Sequence, residues 1–307
     1  MNTPLPSAAA AAPADQENAR PENQTLGVAL VVAATCLFAS NDVINKFLVG
    51  EFEVPAVAAV RYMIHGLVLA AVLAPSQGRR LIETRRTGAV IARALCLVGS
   101  TLFLGLALQH MPVAETTAII YLSPLLVMLL APLILGERIG PLGWISAILG
   151  FTGVLLIVRP GGGLDPAGIA LALANVGFTT AYYLLSRVLS ATETTQSMLF
   201  YTAVVGTICF GLALPWFWLD RMPNPLVMVM FAGLGGTAAL GHFMFTAAYR
   251  YAEASLLAPA TYTHLLWAGL LGWLVFGHIP ALLSITGMAI ILLAGVLSAM
   301  RTRLRRV

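Results

Sequence analysis

The sequence predicts an all-α polytopic membrane protein, with ten transmembrane helices in two inverted five-helix repeats. Three observations predict it. Of 307 residues, 59% are hydrophobic and only 10% charged, where a soluble domain of this length carries about a quarter of its residues as charge. Apolar runs follow one another from Leu26 onward, and the two halves of the chain echo each other. A mean hydropathy of +0.88 excludes a soluble enzyme and any extended basic nucleic-acid surface, because no soluble fold hides so much apolar area.

In chain order, residues 1–24 are polar and rich in Ala and Pro, with no apolar run behind a basic start. That composition reads as a disordered cytoplasmic tail rather than a signal peptide. A bilayer core takes roughly 20 apolar residues per helix. On that basis ten segments follow, at about 26–49, 55–75, 88–110, 113–135, 141–159, 167–189, 197–219, 225–249, 254–276 and 280–300. Pro55, Pro112, Pro141, Pro225 and Pro280 stand at or near helix starts, where a missing N–H costs little. Pro124 and Pro259 fall inside the fourth and ninth segments and are expected to bend them. Residues 301–307 form a basic cytoplasmic tail. Cys36, Cys96 and Cys209 lie within apolar runs, without metal-ligand spacing or a disulfide framework.

Orientation follows from arginine. With the N-terminus inside, cytoplasmic segments hold twelve arginines, Arg79, Arg80, Arg85 and Arg86 among them, against Arg159 and Arg221 on the opposite face. That asymmetry, with an even number of crossings, puts both termini in the cytoplasm of an inner-membrane protein.

The repeat is read from ordered echoes. Gly27-Val28-Ala29-Leu30 returns in the second half as Gly168-Ile169-Ala170-Leu171, with Lys46 meeting Arg187 at the same offset. Ala114-Glu115 returns as Ala252-Glu253, and Gly153-Val154-Leu155 as Gly295-Val296-Leu297. The repeats span 26–159 and 167–300. Five helices each is an odd number, so the second repeat enters the membrane from the opposite side, the architecture of many secondary transporters.

Several motifs then stand in order: Phe38-Ala-Ser-Asn-Asp42, Ala59-Val-Arg61-Tyr62, Ala114-Glu-Thr-Thr-Ala-Ile-Ile-Tyr-Leu-Ser-Pro124, Leu135-Gly-Glu-Arg138, Ala247-Ala-Tyr-Arg-Tyr-Ala-Glu-Ala-Ser255 and Pro259-Ala-Thr-Tyr262 with Leu266-Trp267 following. Over residues 26–300 the chain resembles the EamA-domain drug/metabolite transporter superfamily. The resemblance implies ten helices around a central cavity, with the fifth and tenth set apart. It also implies a cargo drawn from amino acids, nucleotide-type metabolites, riboflavin, S-adenosylmethionine or opine-type metallophores. At Gly277-His278-Ile279-Pro280 the second repeat departs from the Gly-Glu-Arg of the first.

An ionisable side chain near the bilayer centre costs about 2.5–3.5 kcal/mol on insertion scales, so each one found there calls for a reason. Asp42 lies between Asn41 and Asn45, with Lys46 four residues on; it is either a proton or amine site or the neutralising partner of Lys46. Lys46 and Arg187 read as snorkelling to opposite interfaces. Arg61 is either a clamp for carboxylate or phosphate or the ion-pair partner of Asp42, and His65 sits one turn deeper on its face. Glu115 and Glu253 at helix N-termini suit the helix dipole. Arg93, five residues into the third helix, reads as snorkelling inward.

The ninth segment gathers Tyr262, His264 and Trp267, suited to stacking on and hydrogen-bonding a ligand. Tyr121, Asn175, Tyr182, Tyr183 and His242 complete the expected cavity. Glycines such as Gly150, Gly153 and Gly241 serve close helix packing. No GxSxG, HExxH or GxxxxGK[ST] motif occurs.

The expectation is a secondary transporter moving a small polar metabolite by alternating access, exporting an amino-acid-like or amino-acid-derived compound. Import of a vitamin or nucleotide-type metabolite is the alternative, and an intramembrane enzyme the reading from another class. Expected partners are the small-molecule substrate, the bilayer and a coupling proton, with a second copy of the chain left open. No cofactor, metal ion or nucleic acid is expected.

Overall fold

The computed structural model describes residues 24–135, 141–158, 163–189, 192–217, 223–248, 251, 257 and 260–304. All regular structure among them is helical. The helices are α1 (Gln24–Glu51), α2 (Val54–Gln77), α3 (Thr87–His110), α4 (Val113–Ile120), α5 (Leu122–Leu135) and α6 (Pro141–Val158). They continue as α7 (Pro166–Leu189), α8 (Thr195–Ala213), α9 (Pro225–Ala248), α10 (Thr263–Phe276) and α11 (Leu282–Leu304).

Local chemistry sets the boundaries. α6, α7 and α9 each start on proline, and the side chains of Asp165 and Asn224 accept from the N–H groups of Ala167 and Val227 at 2.9 Å. Thr194 caps α8 by accepting from Ser197 N at 3.1 Å. α10 stops at Gly277, whose φ of +66° lets its N–H return to Trp273 O at 2.8 Å.

One expected segment divides. Residues 113–135 form α4 and α5 rather than one bent helix, with the break at Tyr121. Pro124 has no N–H to offer the carbonyl four residues back, at Ile120, so the ladder fails one turn ahead of the proline. The seventh segment ends sooner than expected, at Ala213, and Pro215 lies in a 3-10 turn, Leu214–Trp216. The N-terminal tail, Glu137, Glu253 and Pro259 lie outside the described residues, and the C-terminal tail is described only to Leu304, the end of α11.

Seven segments are long and apolar enough to cross a membrane: Gln24–Glu51, Val54–Val72, Thr87–His110, Val113–Ile134, Pro166–Ser186, Thr195–Trp216 and Pro225–Phe245. Three shorter apolar helices join them, Trp144–Val158, Thr263–Phe276 and Leu282–Leu297. The chain is a multi-pass membrane protein, with seven rather than ten described helices of spanning length.

Packing follows the repeat. α1 lies against α9 and α3 against α7, while α2 packs on α8 and α6 on α11. The register that carries Gly27 onto Gly168 also carries α1 onto α7 and α3 onto α9, so the first two contacts exchange and the last two map onto themselves. α6 and α11 meet closely enough that a Cβ on Gly153 would stand 2.7 Å from Gly287 O. With the α6–α11 pair to one side, α1, α2, α4, α9 and α10 carry the polar groups described next.

Candidate functional site

Phe38, Asp42 and Lys46 recur every four residues along α1 and so share one face. Asp42 Oδ2 lies 3.2 Å from His264 Nε2, with their side chains 16% and 17% exposed. The contact has the distance of an ion pair without the alignment of a hydrogen bond: His264 Nε2 finds no hydrogen-bond partner, nor does Trp267 Nε1 one turn further along α10. A buried polar atom without a hydrogen-bond partner costs about 1–3 kcal/mol. Two such nitrogens one turn apart on α10, the first against the Asp42 carboxylate, mark a place short of a partner.

Rings connect this centre to α2. Tyr121 stands 6.0 Å from His264 and 5.0 Å from Tyr262, centroid to centroid. Phe38 stands 6.4 Å from His264 and 5.0 Å from His242, which is 5.9 Å from His65. Arg61 lies one turn before His65 on α2. The helix break at Tyr121 lets its hydroxyl donate to Thr261 O at 2.8 Å, joining the irregular stretches of the two halves. Close approach at two glycines seats these rings. A Cβ on Gly241 would stand 2.7 Å from the Phe38 ring, and one on Gly295 would fall within the Tyr262 ring.

The structure corrects both partners considered for Asp42. Lys46 donates instead to Leu108 O and Met111 O, each at 2.7 Å, and lies 5.8 Å from the Phe276 ring. It satisfies the carbonyls that end α3 rather than snorkelling past them. Arg61 has no carboxylate within salt-bridge distance among the described residues; its recorded neighbour is the Tyr62 ring at 5.9 Å.

Asn175 and Tyr182 belong elsewhere. Asn175 Nδ2 donates to Ser100 O at 2.7 Å and Ser100 Oγ at 3.0 Å, and its Oδ1 accepts from Thr179 at 3.3 Å. The Tyr182 hydroxyl accepts from Arg93 Nη2 at 2.7 Å. Arg93 is 5% exposed rather than snorkelling, and donates also to Ser186 Oγ, Met198 O and Thr202 Oγ1. These groups tie α3 to α7 and α8 and are hydrogen-bonded among themselves.

At the C-terminal end of α1 lies a cavity of about 290 Å3, lined by Lys46, Gln109, His110, Phe276 and His278 among others. It is one turn along α1 from Asp42, not against it. Two histidine–carboxylate contacts flank it and cross between the halves. His278 Nε2 stands 3.1 Å from Glu115 Oε1, and His110 Nδ1 stands 2.6 Å from Asp165 Oδ2. Glu115 is 2% exposed and its Oε2 has no partner, so the helix dipole is not its only neighbour. The Asp165 carboxyl is held below its ordinary value by the N–H of Ala167 and then by His110.

Of the expected residues, Asp42, His65, Tyr121, His242, Tyr262 and His264 form one ring-lined row, with Trp267 a turn further on α10 and Arg61 at its far end. Phe38, Lys46 and Gly295 were not expected in these roles. A Phe in an apolar helix carries no mark of its own; only its spacing of four from Asp42 points to it. Among the described residues no group of three or more His, Cys, Asp or Glu is placed to hold a metal.

A family model for the EamA-like transporter family matches residues 25–159 and again residues 166–300. The riboflavin transporter of Vibrio cholerae is 28% identical over 274 residues, covering 87% of this chain and 91% of that protein. The S-adenosylmethionine uptake transporter of Rickettsia bellii is 25% identical over 269 residues, covering 87% and 91%. The pseudopaline exporter CntI of Pseudomonas aeruginosa is 27% identical over 191 residues, covering 61% and 66%. A solved crystal structure at 18% identity superposes with a TM-score of 0.64, covering 91% of this chain and 97% of that one, a likeness of fold. Family and relatives are transporters, which removes the intramembrane-enzyme reading.

Proposed function

The chain belongs to the EamA-like transporter family, and from that premise we propose that it is a secondary transporter of the inner membrane. It moves a small polar metabolite bearing a planar ring. The observation that carries the substrate class is the pair of buried nitrogens without a hydrogen-bond partner, His264 Nε2 and Trp267 Nε1, at the Asp42 end of a row of aromatic and imidazole rings. A planar heterocycle supplies both missing elements, a face for Tyr121, Tyr262 and Phe38 to stack on and hydrogen-bonding ring atoms for the two nitrogens. Asp42 takes an N–H of the substrate or a coupling proton, and Arg61 with His65 meets the substrate's far polar end.

In this reading the ten apolar segments all cross the bilayer, the halves are inverted, and both termini face the cytoplasm. α1 and α9 then rock against α3 and α7 to expose the site to one side at a time. The relatives named as riboflavin and S-adenosylmethionine transporters support the ring-bearing class. Export of an amino-acid-like compound is the second reading. The partial likeness to a pseudopaline exporter supports it.

The test compares cells with and without the gene for riboflavin, S-adenosylmethionine and amino acids, inside and in the medium. Gene-dependent accumulation of a ring-bearing metabolite supports import, and its gene-dependent loss to the medium supports export. A gene-dependent change confined to compounds without rings overturns the substrate class.

A further inference from the structure

The cavity beside Lys46 is not needed to explain the Asp42–His264 centre, yet its chemistry is specific. Lys46 carries three N–H groups, of which Leu108 O and Met111 O occupy two. Among the described residues nothing takes the third. No carboxylate stands within salt-bridge distance of Nζ among the described residues. The nearby acids each face a histidine that lines the cavity, Glu115 through one oxygen with His278 and Asp165 with His110.

The opposite wall is the start of α4, with Val113 and Ala114 lining the cavity. The first helical bond there runs from Thr116 N to Pro112 O, so the N–H groups ahead of it have no intrahelical acceptor. An ammonium and the free N–H groups of a helix start thus face one space, with the Glu115 carboxylate of that first turn buried and held by His278. Phe276 lines it with an apolar ring, and at about 290 Å3 it holds far more than one water, which takes about 30 Å3.

We propose that this cavity is a second binding site, for the carboxylate or phosphate group of a small anion, with Lys46 as its charged anchor. It lies about 6 Å along α1 from Asp42, one helical turn. The proposal stands whether or not the central site prefers ring-bearing compounds, because its test reads binding and not transport.

The experiment uses the full-length protein in nanodiscs of phosphatidylcholine, titrated with acetate and with inorganic phosphate at constant ionic strength and followed by thermal unfolding. A saturable rise in melting temperature is expected, with the apparent Kd raised about tenfold or more in Lys46→Gln and kept in Lys46→Arg. Arg61→Gln keeps the response, which separates this site from the central one. Gly272→Val is the second variant. A Cβ on Gly272 meets only Val113 Cβ, at 3.9 Å, so the added branch takes cavity volume without removing a charge and also weakens the response. In nanodiscs containing phosphatidylglycerol, loss of the acetate response through competition identifies a lipid headgroup as the source of the anion. A response that does not saturate, or one that survives in both Lys46→Gln and Gly272→Val, overturns the proposal.

Discussion

The α1–α9 joint and the α3–α7 joint occupy equivalent places in the two halves, yet their polar groups are treated in opposite ways. In the register that pairs Gly27 with Gly168, Asn41 corresponds to Tyr182 and Arg93 to Leu234. In the first joint Asn41 Nδ2 donates to Leu234 O at 2.6 Å; in the second, Arg93 donates to Tyr182 at 2.7 Å. The same register holds a small neutral tie on one side and a guanidinium clamp on the other. Around the clamp, Ser100, Asn175, Thr179, Ser186 and Thr202 bond to one another or to Arg93. Around the neutral tie stand rings, a carboxylate, and on α10 two nitrogens without hydrogen-bond partners. A joint that satisfies itself has nothing left for a ligand. The two equivalent joints thus differ in chemistry: one, a brace, satisfies its own polar groups, and the other, which the proposed reading makes the substrate site, leaves polar atoms without partners.

The largest effect should come from breaking the brace. Arg93→Ala removes four hydrogen bonds made by a charged group and leaves Tyr182 and Thr202 short of a donor. Hydrogen bonds to charged groups contribute about 1.5–3 kcal/mol each, offset by relief of the buried charge, so a net loss of about 3 kcal/mol is expected. Thermal unfolding of the purified protein checks it, and Arg93→Lys should lose less. Unchanged stability with abolished transport would move Arg93 from brace to binding site and erase the contrast.

On the other joint the prediction inverts. Asp42→Asn should leave the melting temperature nearly unaltered and lower transport about tenfold to a hundredfold, the equivalent of about 1.5–3 kcal/mol of lost charge-assisted contact. Trp267→Phe should act likewise, more weakly, since only one donor is lost. Flux into proteoliposomes at matched protein levels measures both. Equal transport by Asp42→Asn would leave the carboxylate with a purely structural part.

A third change sharpens where the site ends. Gly295 on α11 leaves room for the Tyr262 ring, and a methyl there falls within it. Gly295→Ala forces the ring to shift or the helices to part, an overpacking cost of about 1–3 kcal/mol. If Tyr262 belongs to the site, transport should fall further than stability alone accounts for, and Gly295→Ala with Tyr262→Leu should regain stability without regaining transport.

Much of this is legible in the sequence, and the limits are physical. Asp42 announces itself, because an acid within an apolar helix is expensive wherever the helix sits. Its partner does not, because nothing local says that α10 rather than α2 lies opposite; Lys46, nearer in sequence, is bonded to the end of α3, and Arg61, near in expected depth, has no carboxylate within salt-bridge distance among the described residues. Arg93 departs from its expectation because snorkelling assumes lipid beside the helix, whereas α7 and α8 stand there with acceptors. Asn175 and Tyr182 do face protein, as polar groups in apolar helices should. Whether such a face meets a ligand or another side chain is decided by helix packing, which periodicity does not encode. Pro124 marks the break in the fourth segment, displaced by one turn because the lost bond belongs to the carbonyl behind it.

The smallest effect concerns the His110–Asp165 contact, where both side chains are 41% exposed. Asp165 caps α7 through the N–H of Ala167 and faces His110, and both favour its charged form. A carboxyl whose folded value is depressed adds stability above its ordinary value, and that stability is lost as pH falls through the lowered one. Asp165→Asn should therefore lower the melting temperature slightly at pH 7, and the gap from the unaltered protein should begin to narrow near pH 4, where an ordinary aspartate starts to take up its proton, and close further into acid. His110→Ala should reproduce only part of the gap, because the backbone N–H is the larger cause. A gap that persists unchanged into acid would mean that the carboxylate's charge contributes nothing, and that the contact joins the halves by shape alone.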